Sequence, residues 1–273
     1  MDAGDEDVGE DIRPLLELLA SHDVRMTVPV TSSILQDHAR AVSMFLDDGH
    51  EVAGHGDVHT PFRESLEIQV RRLETMIAEF EKHLGVRPLG FRAPFLDHSR
   101  QTYSALAEVH LRYDSSRTCT DPWIRTMSKV RGSFAYPLRW RDIPRIWGRY
   151  LLGRGLPTGF FVAPGVLELP VFDLDDWFFL DAPQGPRLSP DRSRVIAEHW
   201  LAALERFSQR DDGMLVVQAH PRRVHRGLLI ALDAFVTAAK ERNCNFITLA
   251  EMTNWFTTDE RWRRRNRGVP QWL

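Results

Sequence analysis

Cysteine is nearly absent: Cys119 and Cys244 are the only two in 273 residues. Two distant thiols make no disulfide scaffold, and without a C-x-x-C pair there is no zinc ribbon or dithiol redox centre. Long apolar runs are missing as well. The longest, "GLLIALDAFV", is broken by Asp233 and falls well short of the ~18 residues a membrane span needs. Neither sign of charge dominates, since 35 Lys and Arg against 38 Asp and Glu leave a net −3. That excludes nucleic-acid binding through bulk charge. A secretory leader needs basic residues and then an apolar run, yet Asp2, Asp5, Glu6, Asp7, Glu10 and Asp11 crowd the start with no base among them. The chain as written reads as cytoplasmic. Ordinary hydrophobic content, 43%, rules out a disordered chain.

What is present is alternation. "VRMTVPV" (Val24–Val30), "HEVAGHG" (His50–Gly56), "LGFRAPF" (Leu89–Phe95), "GVLELPVFDL" (Gly165–Leu174), "GMLVVQAHP" (Gly213–Pro221) and "CNFITLAEM" (Cys244–Met252) read as buried strands. They are short, rich in branched and aromatic residues, and bounded by Gly or Pro. Between them Leu66, Val70, Leu73, Ile77, Phe80 and Leu84 step by three and four, which makes one apolar helix face. Glu10–Ala20, Ile34–Leu46, Ser99–Val109, Asp191–Phe207 and Gly227–Arg242 are similar. This pattern predicts an α/β fold with a parallel sheet, open or closed into a barrel.

Active residues of such folds sit at the carboxyl ends of strands, and here those ends carry ionisable side chains. His55 and His59 form an H-x-x-x-H pair. On one helical turn, two imidazoles four apart face one metal ion. With 11 histidines, roughly 0.4 such pairs arise by chance, so the pair alone also fits two surface histidines. Two His plus a carboxylate leave one position for water, whose pKa a bound zinc lowers to ~7. Asp2, Asp5 and Asp7 are all candidate carboxylates. Arg92-Ala-Pro-Phe95 puts a guanidinium at a strand end, followed by a proline-fixed turn that can aim the Phe95 N–H at an oxyanion; an Arg in a structural ion pair is the plainer reading. Asp173-Leu-Asp-Asp176-Trp177 offers carboxylates that can orient an arginine, with Trp177 to wall a pocket. His220 closes an apolar strand and could equally be a merely hydrogen-bonded histidine.

The order H-x-x-x-H, R-x-P-F, D-x-x-D-W and His-Pro resembles the polysaccharide deacetylases, the NodB-homology carbohydrate esterases, from Asp2 to about Met252. The resemblance implies a distorted (β/α) barrel of about seven strands and a divalent metal cofactor, zinc before others. The activity it implies is removal of an acyl group from an amide nitrogen, the substrate being an N-acetylated carbohydrate. It implies that His55 and His59 are metal ligands, and that Asp2, in an Asp-x-Asp-Ala-like first motif, is the third. Arg92 then holds the base carboxylate, Asp176 steadies that arginine, and His220 protonates the leaving amine. Gly56 stands where many members have Ser or Thr. The first barrel strand and the base Asp are expected to lie upstream of Met1, leaving the chain as written weakly active. Two other readings remain: a non-catalytic metal- or sugar-binding relative, and a formamide or cyclic amide or imide hydrolase.

The expected organisation is a catalytic domain over 1–256 with a Trp-rich insertion at 120–164, then a basic tail, 257–273, with five Arg between Arg261 and Arg267. The expected partner is a small-molecule or carbohydrate amide. No nucleic acid and no membrane span are expected, and a homo-oligomer is compatible with the sequence.

Overall fold

A computed structural model of the chain describes residues 12–119, 159–172, 190–207, 214–220 and 226–260. Strands β1 (Thr27–Val30), β2 (Glu51–Gly54), β3 (Gly90–Phe91), β4 (Tyr113–Asp114) and β7 (Val166–Glu168) lie side by side in that order, all parallel. At the far edge β6 (Phe160–Ala163) runs antiparallel to β7. This strand falls at the end of the expected 120–164 insertion and belongs to the main sheet.

The two short segments β5 (Thr118–Cys119) and β8 (Val171–Phe172) form a second parallel pair. Both ladders join the same stretches of chain. Asp114 pairs with Glu168 and Thr118 with Val171, so one stretch spends one residue more than the other between the ladders. The irregularity sits at Pro170, which has no N–H to give a ladder. Ser115 N still donates to Phe91 O at 2.9 Å, and Ser116 N turns to Asp114 Oδ2, beside the end of β3.

Helices α1 (Arg13–Ser21), α2 (Leu35–Asp47), α3 (Leu66–Leu84), α4 (Arg100–Glu108), α5 (Pro190–Phe207) and α6 (Arg226–Glu241) follow the predicted spans within a few residues. Helix α3 buries Val70, Leu73, Ile77 and Phe80 from the predicted stripe, together with Met76. It stops at Gly85, whose φ of +68° suits a residue without Cβ. Helices α5 and α6 meet through Trp200 and Phe235, edge to face at 5.8 Å. None of the described helices is long and apolar enough to cross a membrane.

Two predicted strands turn out differently. "CNFITLAEM" contains the start of a helix, α7 (Leu249–Thr258). A capping box outweighs its β-branched content: Thr248 Oγ1 accepts from Glu251 N, and Glu251 Oε2 accepts from Thr248 N. Ala250 N donates to half-buried Glu51 and Leu249 N to Thr27, so the helix start is satisfied by β1 and β2. Residues 214–220 form no regular ladder among the described residues, although Phe172 N donates to Val216 O at 2.7 Å.

Candidate functional site

The chain leaves β2 at Gly54 and enters the site at His55. Gly56 follows with φ +94°, and a Cβ there would meet Phe62 and the Val58 carbonyl at 3.0 Å. Ser or Thr would be strained at this position. The same turn corrects one expectation: His55 and His59 lie on an irregular loop, not on a helical turn. They still meet, with ring centroids 5.3 Å apart.

His55 is buried, and its Nδ1 lies 2.6 Å from the carbonyl of Arg92. A carbonyl only accepts, so the proton sits on Nδ1 and the lone pair on Nε2. Metal-ligating histidines are commonly oriented in this way. His59 packs on the Phe95 ring at 4.2 Å between centroids, and its Nε2 is buried. Phe95 is itself unusual for a large aromatic, being 61% exposed with φ +57°. Non-glycine residues seldom occupy that region. The next N–H groups, of Leu96 and Asp97, donate to the carbonyls of Ala93 and Pro94.

Arg92 is buried at the end of β3, held by a stretch 23 residues downstream. Its Nε donates to Ser115 O at 3.0 Å and one terminal nitrogen to Ser115 Oγ at 2.8 Å. The other terminal nitrogen points at Gln218 Oε1, 3.4 Å away. That contact joins the 214–220 segment, on which half-buried His220 lies, to the arginine. The structure thus gathers His55, His59, Arg92, Phe95 and the segment of His220 at the carboxyl ends of the strands. Asp2, Asp176 and Trp177 lie outside the described residues. Among the described residues no group of three His, Cys, Asp or Glu surrounds one point.

Arg72 was not foreseen. From inside α3 it is nearly buried and grips the whole loop that carries His59. Its Nε donates to Asp57 Oδ1 at 2.8 Å, and one terminal nitrogen to Pro61 O and Glu64 Oε1. The other donates to Thr60 Oγ1 at 2.7 Å, and the guanidinium sits 4.0 Å over the Phe62 ring. Asp57 Oδ1 is thereby engaged by Arg72. Replacing Arg72 by Met keeps the stem but strands two carboxylates, at a cost of about 3 kcal/mol. Denaturant unfolding should register that loss, and metal affinity should weaken about tenfold as the loop relaxes.

Residues 2–113 match the family model for polysaccharide deacetylase. No curated protein matches the chain. Among solved structures, one from Mycobacterium smegmatis, classed with the polysaccharide deacetylases, is 24% identical; the likeness covers 89% of this chain and 75% of that one, at a TM-score of 0.65. A second so classed, from Pseudomonas aeruginosa PAO1, is 18% identical over 90% and 73%, at 0.64. An allantoinase is likewise 18% identical over 90% and 72%, at 0.65. At such identities the structural likeness is one of fold. Residues 2–113 are thus similar in sequence to the polysaccharide deacetylase family, and the described fold is similar to that of solved structures classed with it.

Proposed function

We propose that the chain is a metal-dependent hydrolase that removes an acetyl group from the amide nitrogen of an N-acetylated carbohydrate. One observation carries the reading: two histidines meet beside a buried arginine, and the Arg92 carbonyl fixes His55 in the tautomer that leaves the lone pair on Nε2.

The donor set suits a divalent ion of the zinc type, held by His55 and His59, with Asp2 assigned as the third ligand. Such an ion, when bound, polarises a carbonyl and makes water acidic enough to attack at neutral pH. The other roles fall to protein groups. Arg92 is always charged and holds the carboxylate that takes the water's proton; Asp176 steadies the arginine. The Phe95 N–H donates to the oxygen that gains charge as the amide carbon becomes tetrahedral. His220 gives a proton to the departing nitrogen, so acetate and a free amine leave. Trp177 walls the sugar.

The test is acetate release from N-acetylated oligosaccharides before and after chelation. Turnover that chelator abolishes and zinc restores is the expected result. Turnover indifferent to chelator contradicts the reading. Preference for a cyclic amide would move the substrate class and keep the chemistry.

A further inference from the structure

Two carboxylates lie buried against each other beneath the Arg92–Phe95 loop. Asp114 ends β4 and Glu168 ends β7; they are register partners in a parallel ladder, and both are fully buried. Register partners present their side chains on the same face, about 5 Å apart. Two ionised carboxylates at that spacing, away from water, repel each other and lose their hydration, so one proton is retained.

The hydrogen bonds say which oxygen carries it. Both oxygens of Asp114 accept: Oδ1 from Ser116 Oγ at 2.6 Å, Oδ2 from Ser116 N at 3.3 Å. Glu168 Oε1 accepts from Arg117 N at 3.0 Å. Glu168 Oε2 is buried and accepts no hydrogen bond within 3.5 Å among the described residues, although the Tyr103 phenol faces the carboxyl. An oxygen that accepts no hydrogen bond, beside a carboxylate already supplied with two, is where a hydrogen belongs.

We propose that Asp114 and Glu168 hold a single proton between them, carried on Glu168, and that this acid–carboxylate pair positions the Arg92–Phe95 loop. Ser116, while donating to ionised Asp114, accepts the N–H of Ala93 at 2.8 Å. Its neighbour Ser115 takes the Arg92 guanidinium and donates onward to Leu169 O. One tripeptide, Asp114–Ser116, therefore grips both the arginine's side chain and the backbone just after it. Burial first and the charge of Asp114 second push Glu168 well above the usual carboxylate range, with Arg117 acting the other way. Tyr103 of α4 also faces the pair; burial and then the charges of Glu168 and Asp114 push its phenol up.

The catalytic consequence rests on the deacylase reading, whereas the shared proton does not. Isotope-edited infrared spectroscopy at neutral pH should show one carboxylic-acid carbonyl band that Glu168→Gln removes; no such band overturns the proposal. Wild-type stability should fall as pH rises above the ordinary carboxylate pKa, because the folded state keeps a proton that the unfolded state releases. Glu168→Gln should flatten that slope. Gln keeps a hydrogen where Glu168 carries one, so Glu168→Gln should preserve slow hydrogen exchange at Ala93 N–H. Asp114→Asn turns a donor toward Ser116 and should speed that exchange, with kcat falling about 10²-fold through misplacement of the loop. Glu168→Gln as damaging as Asp114→Asn overturns the assignment of the proton. An Asp114→Asn protein with unchanged exchange at Ala93 overturns the positioning role.

Discussion

Arg92→Ala should cut kcat for amide hydrolysis by about 10²-fold or more while the metal stays bound. The geometry separates the two effects. What fixes His55 is the backbone carbonyl of residue 92, which any substitution retains, whereas the guanidinium reaches Ser115 and Gln218. Arg92→Lys should rescue little, because an ammonium is a point charge and cannot serve three acceptors from one plane. Steady-state kinetics with elemental analysis of the same preparations checks this. An Arg92→Ala protein that turns over normally removes the arginine from the chemistry; one that loses its metal points to loss of the loop.

His220→Ala should lower kcat by about 10²–10⁴-fold on an amide, the usual worth of a general acid. The amine leaves only when protonated. An aryl acetate does not need that proton, because its phenolate departs unaided. The variant should therefore lose far less on the ester than on the amide. Equal losses on both substrates would assign His220 to the packing of the 214–220 segment. The contact from Gln218 to Arg92 makes that a real alternative, and only the pair of substrates distinguishes them.

The helices were legible because their apolar faces repeat over many turns; α3 is read off the spacing of six side chains, and it begins and ends on the first and last of them. Strands of two residues, such as β4, have no period to detect. "CNFITLAEM" has the branched and aromatic content of a strand, but the Thr-x-x-Glu within it starts α7. His55, His59, Arg92 and Phe95 stood out as polar or exposed-turn residues where strands end, and the fold brings them together. The residues that hold them did not stand out. Arg72 looks like any charged residue of an amphipathic helix until the loop folds over it. Gln218 meets Arg92 across 126 residues, a pairing that topology alone creates. Glu168 did leave a signal, an acid in the middle of the apolar run "GVLELPVF", but its partner Asp114 belongs to a strand too short to be seen.

The most direct measurement is the metal content of the purified protein, by elemental analysis after exhaustive dialysis, beside His55→Ala and His59→Ala. The account predicts close to one divalent ion per chain in the wild type, with each substitution removing most of it, and circular dichroism unchanged. Equal occupancy in all three proteins, or none in the wild type after incubation with zinc, would contradict it.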